Sequence, residues 1–382
     1  MKKGIVISNK TVAFIVNGGR DSAMGFRARD FAARISKYDI HIAYRTDSKI
    51  RSILSFFNFL VRLRPTATYV FDVSYSGILS AGFYRLVFGN CLIVETGDAI
   101  TELVRSSGSR GIPGVWLTQF LENTAFWIAD RVVVRGTFHQ ELLARQGIGA
   151  DVIQDGVDTG KFALADAGKL RKEHGLEGVL TIGLLGSSIW SEKLQMCYGW
   201  ELVETIGLLA DSGGEGNMVR GIKGIMIGGG SGILRLKARC RELGIEDRII
   251  FLDFIPYEQL PRYLSLINVC LSTQTNDLVG QVRTTGKLPL YLAAGRYILA
   301  SDVGEAARVL EPEMLVPYDD VKDEQYPQKL AERIRTILSH PEILDQAEAN
   351  IALAKKHFDY SVLAERANRV IEAAIKARGE QR

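Results

Sequence analysis

The chain has 382 residues, 47% of them apolar, enough for two domains of roughly 100–200 residues with cores of their own. Lys and Arg total 47 against 44 Asp and Glu, a formal net charge of +3. That surplus is too small to argue for a nucleic-acid partner, and it would not oppose an anionic nucleotide or an acidic membrane face.

In chain order, Met1-Lys2-Lys3 has the charge of a signal-peptide n-region, but Ser8, Asn9 and Lys10 break the apolar stretch behind it. A buried first strand fits better than a cleaved leader. Apolar runs then recur at 12–16, 40–44, 69–72, 91–95, 131–135 and 152–154, separated by amphipathic stretches such as 23–36, 50–63, 76–88 and 137–146. This alternation predicts a parallel sheet with helices on both faces. The pattern pauses at Asp155-Gly156-Val157-Asp158, and the polar segment 159–169 reads as a linker. It then restarts, with strands expected at 180–185, 224–227, 249–252, 269–272, 297–300 and 314–316. Helices are expected at 193–210, 232–243, 257–266, 286–294 and 303–310, with a helical tail from about 328 to 377. The expectation is an α/β chain of two doubly wound domains, 1–160 and 161–357, with helix 358–382 packing back on the first. Cys91, Cys197, Cys240 and Cys270 form no CxxC pair, and the histidines lack ligand spacing. Buried thiols in a reducing compartment, and no metal, are expected.

Ligands in such folds sit beyond the carboxyl ends of strands, where four turns stand out. Asn17-Gly18-Gly19-Arg20 would let backbone N–H groups approach an anion or a sugar, though a tight turn holding nothing reads equally well. Gly186-Ser187-Ser188, with Lys193 close behind, could hold a diphosphate; an exposed loop is the plain alternative. The glycines around Gly229 imply close backbone approach. Arg283-Thr284-Thr285-Gly286-Lys287 places two cations and two hydroxyls at a helix start. Asp98, after the fourth strand, is either an acceptor-orienting base or a helix N-cap. His139 reads as a surface helix residue.

The ordered set of motifs resembles a known family. Ala129-Asp130-Arg131-Val132-Val133-Val134, then Asp155-Gly156-Val157-Asp158 with Phe162, is similar to passages of retaining GT-B glycosyltransferases of the group 1, family-four type. So are Leu243-Gly244 through Phe251, Phe254-Ile255-Pro256, Leu260-Pro261-Arg262-Tyr263-Leu264, and Gly286-Lys287-Leu288-Pro289-Leu290-Tyr291-Leu292-Ala293-Ala294-Gly295. The resemblance implies two Rossmann-like domains facing across a cleft. It implies a UDP- or GDP-linked sugar donor on the second domain, a glycan or lipid-linked acceptor on the first, and no further cofactor. Lys193 matches the donor-phosphate lysine, and Arg283 or Lys287 would replace its missing arginine partner. Ile255 would lie near the base. Asp98, Lys193 and Arg283 are thus the expected catalytic set. The family's second glutamate falls at Leu290 and its first at Val282, with Asp277 the nearest substitute acid.

Residues 49–64 are apolar with basic ends, which suits either a packed helix or a helix resting on a lipid surface. No apolar run reaches the ~18 residues that span a bilayer. A cytoplasmic protein is expected, and the lipid-surface alternative for 49–64 would add peripheral contact at the inner membrane face. A non-catalytic sugar-nucleotide binder, or a sugar-nucleotide epimerase, are the alternatives to a transferase.

Overall fold

The computed structural model describes residues 10–108, 110–162, 166–211 and 221–380. The Met1-Lys2-Lys3 reading and residues 163–165 of the linker lie outside them. The chain divides into two compact units. One comprises Met1–Gly156, Val282–Thr284 and Tyr360–Arg382, and the other Val157–Gln281 and Thr285–Asp359.

The first unit holds six strands: β1 (Thr11–Val16), β2 (Asp39–Tyr44), β3 (Ala67–Phe71), β4 (Cys91–Thr96), β5 (Arg131–Val134) and β6 (Ala150–Val152). They form one parallel sheet in the order β2-β1-β3-β4-β5-β6. Alternation within β1 shows why its run is wholly apolar. Val12, Phe14 and Val16 join a core with Phe31 and the C-terminal helix Tyr360–Glu380, while Ala13 and Ile15 join one with Phe56, Leu60 and Ala125 on the opposite face. Both faces are covered, so neither set of side chains can be polar.

The second unit repeats the plan with β7 (Leu180–Leu185), β8 (Ile222–Ile227), β9 (Ile249–Leu252), β10 (Val269–Ser272), β11 (Tyr297–Ser301) and β12 (Leu315–Val316). Their order is β12-β11-β10-β7-β8-β9, again parallel. The α/β, doubly wound expectation holds.

Two helical expectations need correction, and one helix was not expected. The helix expected from 193 begins at Trp200 and runs to Asp211, behind a turn closed by the bridge Ser191↔Met196. The C-terminal tail is three helices, Tyr326–Ser339, Ala347–His357 and Tyr360–Glu380, interrupted at Pro341 and Asp359. The long helix Ile112–Ile128 had no counterpart in the sequence reading. Its apolar residues lie on nearly every side, which erases the 3.6-residue period, and Pro113 occupies its first turn, where the missing N–H costs nothing. Among the described residues no helix is long and apolar enough to cross a membrane.

Candidate functional site

In the first unit strand order reverses between β1 and β3, which puts the ligand crevice beyond their carboxyl ends. Asn17 ties those ends together: its side-chain amide donates to the Phe71 carbonyl at 3.3 Å, and its Oδ1 accepts from the Gly77 N–H at 3.0 Å. A Cβ on Gly18 would stand 2.4 Å from the Ser22 hydroxyl that caps the helix Ala23–Arg34. Gly18 therefore lies close against that cap, whereas Gly19 borders open space.

Behind this turn lies an ionic cluster built on Glu95 and Arg27, both buried. Glu95 Oε1 accepts from Arg27 Nε at 2.9 Å and Arg135 Nε at 3.1 Å, and Oε2 accepts from the Tyr69 hydroxyl at 2.6 Å. The remaining Arg27 nitrogens donate to the Gln154 and Ile153 carbonyls at 2.5 and 2.7 Å. Arg135 also pairs with Asp72, and its Nη1 lies 3.7 Å from Asp155. Burial opposes the Arg135 charge, but Asp72, Asp155, Glu95 and Asp98 outweigh it and hold the guanidinium above its usual range. Gly97 lets the β4 turn lie on that guanidinium: a Cβ there would meet Arg135 at 2.5 Å.

The same turn presents Asp98, whose Oδ1 accepts from Arg283 Nε at 2.9 Å. Thr284 donates its hydroxyl to Asp155 at 2.7 Å. Asp98 does not cap the following helix, Ile100–Ser107; Glu122 accepts the Ile100 and Thr101 N–H groups, at 2.8 and 3.0 Å. His139 is 2% exposed rather than a surface residue, and its Nδ1 has no hydrogen-bond partner among the described residues.

Burial lowers the His139 pKa from 6.5 to about 4. A buried base with a depressed pKa contributes stability above the unfolded value and loses it as the pH falls, because the unfolded chain then takes the proton. The stability advantage of the parent chain over His139→Leu should shrink by about 3 kcal/mol between pH 7 and pH 4. Urea unfolding across that range checks it, and a pH-independent difference would show that His139 takes its proton while folded.

In the second unit the reversal falls between β7 and β10. Two glycine turns interlock beside it. The Gly186 N–H donates to the Ile227 carbonyl at 3.0 Å, Ser188 N–H to Gly229 at 2.9 Å, and Gly232 N–H to Ser188 at 2.8 Å. A Cβ on Gly228 would stand 2.2 Å from the Gly186 carbonyl oxygen, and one on Gly230 2.3 Å from that of Ser188. Both have φ in the region that disfavours side chains, 125° and 143°. The close backbone approach expected of these glycines is thus, at these two, to the chain's own backbone. Gly229 between them faces open space, and Ser187 is exposed.

Lys287 sits against this turn. Its ammonium lies 3.5 Å from the centre of the Tyr198 ring and would be 3.6 Å from a Cβ on Gly186. The Tyr198 hydroxyl donates to the Leu271 carbonyl at 3.0 Å, which fixes the ring beneath the charge. Glu201 is buried; burial raises its pKa to about 7, against the pull of Lys287. Tyr198 and Glu201 were missed because they fell inside the helix expected over 193–210.

The other expected residues are placed as follows. Lys193 is exposed in the turn between Ser191 and Met196. Ile255 is half-buried against the second unit's core, next to an exposed Phe254. Asp277 Oδ1 accepts from Thr275 and from the Gly280 N–H, both at 2.8 Å, so this acid is engaged in its own turn. Thr285 accepts the Leu288 N–H through its carbonyl at 3.2 Å, and Gly286 is exposed. The contacts of the run 283–287 divide: Arg283 and Thr284 bond to Asp98 and Asp155, and Lys287 lies on Tyr198. Among the described residues no group of three or more His, Cys, Asp or Glu is placed to hold a metal ion.

No family model matches the sequence. Over 209 residues, 53% of this chain, it is 28% identical to the 2-deoxystreptamine glucosyltransferase of Streptomyces kanamyceticus. The match spans about half (48%) of that relative's length. Structural likeness reaches further. Anabaena HepE in complex with UDP-glucose matches with a TM-score of 0.71 at 13% identity, over 95% of this chain and 99% of that one. Sucrose-phosphate synthase from Thermosynechococcus elongatus matches with a TM-score of 0.72 at 15% identity, over 96% of this chain and 100% of that one.

The chain has the fold of the GT-B glycosyltransferases. Its GT-B departure lies on the helix Lys287–Ala293, where Leu290 packs half-buried against the core at the position expected to carry a glutamate.

Proposed function

We propose that this chain is a retaining glycosyltransferase that moves a sugar from a UDP- or GDP-linked donor to a hydroxyl of a glycan or lipid-linked acceptor. The proposed role is in polysaccharide or glycoconjugate synthesis. The observation that carries the reading is Lys287, held on Tyr198 beside the Gly186 turn at the strand reversal of the second unit. A GT-B relative in fold, HepE, is described in complex with UDP-glucose, and the curated relative is a glucosyltransferase, which favours UDP and glucose.

As the glycosidic bond stretches, negative charge builds on the leaving diphosphate. A preoriented ammonium at that place stabilises the charge as it develops. Lys287 supplies it, with Lys193 as a second cation, and the turns at Ser187 and Gly229, with Gly186 beside them, approach the phosphates closely. In the first unit Asp98 orients the acceptor hydroxyl, with Arg283 positioning its carboxylate. The four buried, unpaired cysteines fit a reducing compartment such as the cytoplasm.

A panel of UDP- and GDP-sugars, offered with and without hydroxyl acceptors and followed by NMR of the anomeric signal, tests the proposal. Transfer with retained configuration is expected. An inverted product would remove the retaining assignment. Tight UDP binding without turnover on any acceptor would leave a non-catalytic binder, and acceptor-free interconversion of donors an epimerase.

A further inference from the structure

Twelve of the large apolar side chains that stand exposed among the described residues fall on three helices of the first unit, against four elsewhere. The helices are Lys49–Leu63, Tyr75–Phe88 and Ile112–Ile128. They lie side by side on one face of the sheet. Ser80 Oγ donates to the Ile53 carbonyl at 2.9 Å, the Phe57 and Phe83 rings are 5.3 Å apart, and a Cβ on Gly82 would meet Ile128 at 2.7 Å. The middle helix therefore joins the outer two into one surface. Leu54, Phe83, Leu86, Trp116, Phe120 and Trp127 project from it, with Trp116 73% and Trp127 86% exposed. Folding leaves this surface uncovered, although each helix buries an inner face of its own, such as Phe56 and Leu60 or Ala125 and Phe126.

Charge identifies the occupant. Lys49, Arg51, Arg62 and Arg64 are exposed along the first of these helices and at its end. The three helices contain one acid, Glu122, and it is buried with its carboxylate on the N–H groups of Ile100 and Thr101. An apolar surface with exposed tryptophans and a basic border matches the interface of an anionic bilayer, where indole rings settle at headgroup depth and cations meet lipid phosphates. A second copy is the poorer partner, because it would bring the same cations together with no exposed acid on these helices to meet them.

We infer that this three-helix face docks the chain on an anionic membrane surface, independently of what the second unit binds. The face reaches well beyond the segment 49–64, and its tryptophans come from the helix that the sequence reading missed.

The full chain, floated with phosphatidylglycerol/phosphatidylcholine vesicles and with pure phosphatidylcholine vesicles, tests the inference. Binding to the anionic vesicles, weakened by salt and accompanied by quenching from brominated acyl chains, is expected. The variant Trp116→Ser/Phe120→Ser/Trp127→Ser should keep its melting temperature, since these side chains are already in water, and bind at least about tenfold more weakly. Lys49→Glu, Arg51→Glu and Arg62→Glu should each weaken binding by about fivefold or more on anionic vesicles only. No flotation with anionic vesicles would overturn the inference, as would undiminished binding of the aromatic variant. A dimer in analytical ultracentrifugation that the aromatic variant dissociates would overturn it too, and would make the face a self-interface.

Discussion

Glu95→Gln is expected to lower the unfolding free energy by about 3–5 kcal/mol, the range for breaking a buried ion pair from one side. The substitution keeps the shape of the side chain and removes its charge. Two buried guanidiniums, Arg27 and Arg135, then lose the carboxylate oxygen they share at 2.9 and 3.1 Å. The Tyr69 hydroxyl loses a charged acceptor as well. Arg135 retains Asp72, but Arg27 is left with neutral partners alone, the carbonyls of Ile153 and Gln154 and the Phe31 ring. The cost is therefore concentrated on Arg27, which is 1% exposed and has no route to water. Urea unfolding followed by far-UV circular dichroism checks the prediction, since Trp116 and Trp127 of the first unit are already in water and would report little. A loss under about 1 kcal/mol, the size of an exposed pair, would show that water reaches the cluster.

Lys287→Met should weaken UDP binding roughly 10- to 100-fold, the equivalent of one charge-assisted hydrogen bond of about 1.5–3 kcal/mol. Methionine keeps the contact with the Tyr198 ring and removes the ammonium, so the loss reports charge rather than packing. Titration calorimetry with UDP measures it. Lys193→Met should cost less, because Lys193 stands exposed in its turn without the support that Tyr198 gives Lys287. The family resemblance assigns the diphosphate to Lys193, and the geometry of the second unit favours Lys287. A larger loss from Lys193→Met than from Lys287→Met would reverse that ranking. Transfer activity should follow binding in both variants, with a further loss in kcat if the ammonium acts mainly on the charge developing in the leaving group.

Individual residues show where sequence reasoning reached and where it stopped. Gly228 and Gly230 were legible as places where backbone comes close, since only glycine tolerates such contact. Which backbone comes close was not, because Gly186 and Ser188 arrive from a turn some forty residues earlier. Asp98 was legible as a carboxylate at a strand end. Its partner Arg283 lies 185 residues away, and no local pattern records such a pair. His139 looked like a surface residue because its helix, Thr137–Arg145, is short and mixed in composition; packing against the strands decided its burial.

The sequence by itself determined the two parallel sheets and the glycine turns that end their strands. A strand covered on both faces is apolar along most of its length, and a turn that folds back on another backbone must lack side chains. Both demands are local and leave a readable trace in the residue order. Only the tertiary structure decided which charges meet. Arg27 and Glu95 are 68 residues apart, and strand order together with helix packing brings them to one buried point. The same holds for the apolar face: each of its helices has an inner side that pays for folding, and the surplus on the outer side becomes one surface only once the three lie together on the sheet.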